Sequence, residues 1–152
     1  MIGISFRTPN KHGQILKDIL NEINFDKYYW HITETQAWKS GNQMAEDLFE
    51  EKNFYDGHTV QTIIDFSKYY VVFANITAFL DQNKIIPLEN YNEYLKSECQ
   101  MAIFIVDVIY VDVYCKDIKN LEIIKNNAIQ NGYTEIKNIT EENDRRTRFS
   151  VW

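Results

Sequence analysis

Arginine is the most unevenly distributed reactive residue type in this 152-residue chain. The chain has four arginines and twelve lysines. Arg145, Arg146 and Arg148 fall within the last eight residues, and Arg7 ends an apolar N-terminal run. A planar guanidinium can donate two parallel hydrogen bonds to a phosphate or carboxylate, which an ammonium cannot imitate. The clustering therefore predicts that Arg7, Arg146 and Arg148 bind an anion. The alternative is that the terminal arginines pair with acidic residues in 141–144 or cover aromatic rings, the more common outcome near a turn.

The aromatic residues suggest a second feature of the same surface. Tyr, Phe and Trp make up 14% of the chain. Trp30, His31 and Trp38 lie in a segment with high strand propensity, where a ring can stack on a flat ligand while an arginine holds its charge. We therefore expect these three residues and the arginines to form a ligand or partner surface. The alternative is that the aromatic side chains simply pack the core and the sheet faces.

Catalytic and metal-binding patterns are weak throughout the sequence. His31 with Glu34 or Asp107 is the best proton-transfer pair, and it requires the fold to bring the two side chains within hydrogen-bond reach. Cys99 and Cys115 match no zinc spacing or disulfide framework. Five dispersed glycines leave no phosphate-binding loop. We therefore assign no catalytic, cofactor or metal residues, and favour a non-catalytic binding protein over a small enzyme or a nucleotide-type sponge.

Composition limits the partners and the location. A net charge of −6 opposes binding to a nucleic-acid polymer or an anionic membrane. No apolar run reaches the roughly 18 residues of a membrane helix, and residues 1–7 do not resemble a secretion leader. We expect a cytoplasmic protein that needs no cofactor and engages a protein partner or a small anionic molecule. Self-association through an edge strand at 146–152 would make a homodimer.

The elements that must position these residues follow from periodicity, caps and turns. The predicted fold is a single α+β domain over 1–152, with a mixed, largely antiparallel sheet, helices on one face and a C-terminal β-hairpin. A polar excursion is expected at 40–55, and a break near Asp107 divides one long apolar run. Strands are predicted at 2–7, 28–34, 69–80, on both sides of Asp107 within 101–115, at 133–139 and at 146–152; helices are predicted at 11–24, after 56–57, at 91–98 and at 118–131.

Four short segments carry a resemblance to a known family. They are residues 1–6 (MIGISF), 97–100 (SECQ), 114–117 (YCKD) and 139–152 (ITEENDRRTRFSVW). Together they resemble an uncharacterised family of proteins of similar length from spore-forming Gram-positive bacteria. The resemblance covers the whole chain and implies a bacterial, cytoplasmic, stand-alone domain, but it supplies no activity and no functional residue.

Overall fold

The computed structural model describes residues 1–41, 46–50 and 52–152, so the part of the predicted excursion at 42–45 and 51 lies outside the described residues. Short 3-10 turns at Phe25–Lys27 and Gln82–Lys84 accompany the main elements. In chain order these are β1 (Gly3–Arg7), α1 (Ile15–Ile19), β2 (Tyr29–Lys39), β3 (Glu46–Asp47), β4 (Phe54–Asp56), α2 (Gly57–Ile64), β5 (Tyr69–Phe79), α3 (Tyr91–Lys96), β6 (Cys99–Val106), β7 (Tyr110–Cys115), α4 (Ile118–Gln130) and β8 (Thr134–Ile139).

The eight described strands form one sheet in the order β3-β2-β5-β6-β7-β1-β8, with β4 pairing the first half of β2. Every pairing is antiparallel, which agrees with the prediction of a largely antiparallel sheet. In the centre of the sheet, β6 and β7 pair through a short connection, because the chain reverses at Asp107 between them. The α+β class is confirmed.

Side chains divide between the two faces of the sheet by simple alternation. On β6, Ile103 and Ile105 contribute to the core of the first face, whereas Ala102 and Phe104 contribute to that of the second. Helices α1, α2 and α4 cover the first face. The second face is covered by α3 and by residues 145–152, which we call the C-terminal tail. Helices therefore lie on both faces, with only the short α3 on the second.

Capping residues explain why three helices begin where the sequence predicts. The Asp56, Asn90 and Asp117 carboxylate or amide oxygens accept hydrogen bonds from the backbone N–H groups of the first turns of α2, α3 and α4. Each bond satisfies a donor that has no partner inside the helix. Each cap joins residues two or three positions apart, so the start of the helix can be predicted from the local sequence alone.

Several elements differ from the prediction: β2 continues to Lys39, beyond the predicted 28–34, and β3 lies within the predicted polar excursion and β4 at its end. Two further differences concern the first helix and the C-terminal segment.

The helix expected over 11–24 is only as long as α1. It ends early because Glu22 has a left-handed backbone with φ 70°. In addition, the side-chain amide of Asn127 on α4 donates to the carbonyls of Ile19 and Asn21 at 2.9 and 2.8 Å. The apolar residues of the predicted stripe still reach the core from irregular chain.

The second strand of the predicted C-terminal hairpin is the other error. Residues 146–152 form no strand, and β8 pairs with β1 instead. The alternation in the tail is real, since Phe149 and Val151 are both buried. It arises because the tail crosses over the second face, which buries alternate side chains without ladder pairing.

Candidate functional site

The C-terminal tail is fixed to the second face through its backbone. The Phe149 N–H donates to the Glu89 carbonyl at 2.9 Å, and the Phe149 carbonyl accepts from the Asn75 side-chain amide at 3.1 Å. The Val151 N–H donates to the Glu34 carboxylate at 3.0 Å. These bonds hold the tail across β5 and β2, so residues between 145 and 152 present their side chains from a defined position.

Glu34 and Asn75 are positioning residues; the sequence pattern indicated Glu34 only as an acid for His31 and did not indicate Asn75. Glu34 lies at an irregularity of β2 where the register to β5 shifts, and its φ is 53°. Its second oxygen accepts from Asn75 at 3.1 Å. The sequence carries no local signal for this contact, because Glu34 and Val151 lie at opposite ends of the chain.

Arg146 is bound within the protein. Its Nε and Nη2 donate to one carboxylate oxygen of Asp112 at 3.1 and 2.8 Å, and its Nη1 donates to the Ser150 carbonyl at 2.9 Å. The guanidinium lies 4.2 Å from the centre of the Phe104 ring, and the side chain is only 15% exposed. The alternative of internal pairing is correct for Arg146, although its partner is Asp112 on β7 and not a residue of 141–144.

Arg145 and Arg148 differ from Arg146 in being exposed. Neither forms an ion pair with any residue that the structure describes. Both line one concavity of about 440 Å³, which we call the tail groove, and Trp152 lines the same concavity. The remaining lining residues come from the tail, β7 and the end of β6: Val106, Asp112, Arg146, Thr147, Ser150 and Val151.

Trp152 supplies the aromatic surface of the tail groove. Its side chain is 57% exposed, and it meets Phe73 of β5 edge-to-face with ring centres 5.4 Å apart. One edge of the indole is thereby held while much of the ring remains accessible. Sequence reasoning did not assign Trp152 to the site, although its position beside three arginines could have indicated it.

Arg7 lies apart from the tail groove. Its Nε contacts the Glu135 carboxylate at 3.0 Å, and its guanidinium lies 5.1 Å from the centre of the Tyr110 ring. It lines none of the concavities on the tail. The fold therefore separates Arg7 from the C-terminal arginines with which the sequence grouped it.

The prediction that Trp30 lines a surface is wrong. Trp30 is 0% exposed in the core of the first face, where its Nε1 donates to the Phe25 carbonyl at 3.3 Å. Residues adjacent along β2 point to opposite faces, so His31 lies on the second face. His31 stacks on Phe54 with ring centres 4.9 Å apart, and burial lowers the pKa of its imidazole below the ordinary value. Trp38 also lies on the second face, 5.7 Å from the Tyr70 ring, and neither residue lines the tail groove.

The family of the chain follows from comparison with known proteins. A family model described as "Protein of unknown function (DUF2691)" matches residues 1–150. This chain belongs to that family. It is similar to the uncharacterized protein YncE of Bacillus subtilis (strain 168), with 30% identity over 150 residues that cover 98% of each chain. No solved structure matches the chain. The predicted resemblance to an uncharacterised family from spore-forming Gram-positive bacteria is confirmed.

The proton-transfer pairs considered for this member of the DUF2691 family are not assembled. His31 lies opposite Thr77 of β5. Asp107 lies near Val72 of the same strand, because the N–H of the adjacent residue, Val108, donates to the Val72 carbonyl. Val72 and Thr77 are five residues apart, which is about 16 Å along an extended strand. The other acidic candidate, Glu34, already binds the tail and Asn75. Neither Glu34 nor Asp107 hydrogen-bonds the imidazole, so the described geometry offers His31 no proton-transfer partner.

The two thiols of this DUF2691 protein are buried. Burial raises the pKa of the Cys99 thiol to about 12 and that of Cys115 to about 11, so both are neutral near pH 7. Within 1–41, 46–50 and 52–152, no three His, Cys, Asp or Glu side chains come close enough to hold a metal ion. Over the same residues, no helix has both the length and the apolar character required to cross a bilayer.

Proposed function

We propose that this DUF2691 protein is a non-catalytic binding protein that holds a small organic anion in the tail groove. The observation that carries the proposal is the pair of exposed guanidinium groups, Arg145 and Arg148, beside the accessible ring of Trp152 in one concavity. Arginines without an internal acid partner remain available to bind an external anion.

The charge of the tail groove supports an anionic ligand. Among the side chains that line the groove, three arginines and one carboxylate, Asp112, give a sum of two positive charges on a chain whose net charge is −6. The Asp112 carboxylate is neutralised by Arg146, so it does not oppose an anion at Arg145 and Arg148. A local positive site on an acidic protein also selects for small anions, because a long polyanion would meet the acidic remainder of the surface.

The shape and chemistry of the groove favour an anion attached to a flat ring. Guanidinium groups bind phosphate or carboxylate in bidentate geometry, and an exposed indole provides a stacking surface. A volume of about 440 Å³ accommodates a small organic molecule. The ligand class is therefore a phosphorylated or carboxylated ring compound of nucleotide type.

The rigidity of the tail supports binding at a defined site. The bonds from Asn75 and Glu34, the Arg146–Asp112 pair and buried Phe149 fix the backbone that carries the two exposed arginines. Pre-ordering lowers the entropy lost when a ligand binds. The absence of an assembled proton-transfer pair in the described residues supports a binding role over catalysis.

Isothermal titration calorimetry with ADP, adenosine and inorganic pyrophosphate tests the proposal. We expect ADP to bind more tightly than either fragment, because only ADP uses both the arginines and the indole. Arg148→Ala and Arg145→Ala should each weaken ADP binding about tenfold, the loss of a hydrogen bond to a charged group. Trp152→Ala should weaken ADP and adenosine but leave pyrophosphate unchanged.

Lys119→Ala is the matched control, since Lys119 is an exposed cation on α4, on the opposite face of the sheet. It should leave ADP affinity unchanged. Equal affinity in the wild type and in both arginine variants, or the absence of any binding heat, would contradict the proposal. A protein partner that presents a carboxylate to the same arginines, and a homodimer, both stay predictions.

A further inference from the structure

A second cleft, far from the tail groove, lies on the first face between α1 and α2. It has a volume of about 400 Å³. Its floor is apolar and buried, and includes Leu20, Phe25 and Ile64. Its rim is polar and exposed, with Glu22 from the segment after α1 facing α2. A concave site with an apolar floor and a few polar groups at its mouth is the usual form of a small-molecule site.

The walls of this cleft are fixed by contacts from outside it. Asn127 of α4 donates to the Ile19 and Asn21 carbonyls, which anchors the chain after α1. Lys17 pairs with Asp65 at 2.5 Å, which joins α1 to the end of α2. The cleft is therefore formed before any ligand arrives.

Among the Lys, Asp and Glu side chains at the rim, the net charge is negative. Lys17 and Asp65 neutralise each other, whereas Glu22 makes no ion pair or side-chain hydrogen bond with any described residue. One carboxylate over an apolar floor, on a chain of net charge −6, attracts a cation with an apolar body.

We propose that the α1–α2 cleft binds a small organic amine whose ring or alkyl body lies on Phe25 and whose ammonium pairs with Glu22. The proposal does not depend on the function of the tail groove, because the two sites share no residue. Phe25 also stacks on Trp30, with ring centres 5.2 Å apart, so Trp30 lies directly behind the floor and can report occupancy.

The test is 19F NMR of protein labelled with 5-fluorotryptophan, in which each of the three tryptophans gives one resonance assigned by Trp→Phe substitution. The probes are phenethylamine, 2-phenylethanol and phenylacetate, which share a ring and differ in charge. We expect phenethylamine to shift the Trp30 resonance, and to bind at least about fivefold more tightly than the neutral alcohol. Phenylacetate should bind most weakly, and the Trp152 resonance should not respond to the amine.

Glu22→Gln should remove the preference for the amine over the alcohol while leaving the alcohol's affinity unchanged. Asp26→Asn, at an exposed acid outside the cleft, is the matched control and should keep the preference. Thr62→Tyr on the exposed side of α2 should fill the mouth and weaken the amine and the alcohol together. The absence of a Trp30 shift with about 10 mM amine, or an undiminished preference in Glu22→Gln, would overturn the proposal. Because Trp152 reports the tail groove in the same spectrum, failure of one site is distinguishable from failure of the other.

Discussion

Arg146 and Arg148 lie two positions apart in the chain, yet they have opposite surroundings. Arg146 contacts Asp112, the Ser150 carbonyl and the Phe104 ring, whereas Arg148 is exposed. Lysine cannot reproduce the fork geometry or the ring contact of Arg146. Arg146→Lys should therefore lower the free energy of unfolding by about 1–2 kcal/mol, while Arg148→Lys should change it by less than about 0.5 kcal/mol. Urea denaturation measures both, and equal effects would show that Arg146 has no special structural role.

The sequence located part of the candidate site at the residue scale. The clustering of arginines near the C-terminus indicated Arg148 as a candidate ligand residue, and Arg148 is exposed and forms no ion pair with any described residue. Its role in binding stays a prediction. The clustering could not separate Arg146 from Arg148, because the partner Asp112 is 34 positions away and only the fold brings it near. The error at Trp30 has a similar origin. Alternation along β2 was visible, but which of the two faces meets the helices is decided by chain segments outside β2.

At the scale of elements, the junction between α2 and the turn at Phe25–Lys27 depends on Gly57. A side chain at this position would collide with the Phe25 carbonyl, whereas a Cβ at Gly13 would meet no described atom within 4 Å. Gly57→Ala should lower the free energy of unfolding by about 2–3 kcal/mol through overpacking, and Gly13→Ala should be nearly neutral. Thermal unfolding of the two variants provides the comparison, and a neutral Gly57→Ala would mean that the contact relaxes without cost.

The tail is an element of the core despite having no regular structure. Phe149 is 3% exposed and packs edge-to-face on Phe104 with ring centres 4.9 Å apart. Phe149→Ala should therefore cost about 3 kcal/mol of stability, the usual effect of deleting a buried ring. Trp152→Ala, at an exposed ring three residues away, should cost less than about 1 kcal/mol. Similar losses in chemical denaturation would contradict the assignment of Phe149 as the tail's anchor.

Element prediction succeeded where local signals suffice and failed where distant contacts decide. The caps at Asp56, Asn90 and Asp117 and the turn at Asp107 are encoded within a few residues. The early end of α1 depends on Asn127, more than 100 positions away. Apolar and polar residues alternate in the tail as they would in a strand. Only the contacts of the tail with Glu34 and Asn75 show that it crosses the sheet.

For the whole molecule, the buried thiol and phenol groups predict a loss of stability in alkaline solution. Burial raises the pKa of Cys99 to about 12 and of Cys115 to about 11, from 9.0, and also raises the pKa of the Tyr69 and Tyr94 phenols. Between the unfolded and folded pKa values only the unfolded chain releases these protons. The contribution of these groups to the free energy of unfolding is complete below about pH 9. As the pH rises further, each group lowers the free energy of unfolding by up to about 1.4 kcal/mol per pH unit.

Urea denaturation from about pH 7 to pH 10.5 measures this slope. The unfolding free energy should be steady up to about pH 9 and then fall, and Cys99→Ala should reduce the fall. A flat profile through pH 10.5, or the same slope in Cys99→Ala, would contradict the predicted role of the buried thiol.

Arg146 and Arg7 contact internal carboxylates, whereas Arg145 and Arg148 are the arginines proposed to bind an external anion. NMR of the arginine Nε–Hε groups tests this proposal most directly, because the chain has only four arginines and each gives one signal. Titration with ADP is predicted to shift the Arg145 and Arg148 signals and leave Arg7 in place. Unchanged Arg145 and Arg148 signals at millimolar ADP, or a shift confined to Arg7, would contradict it.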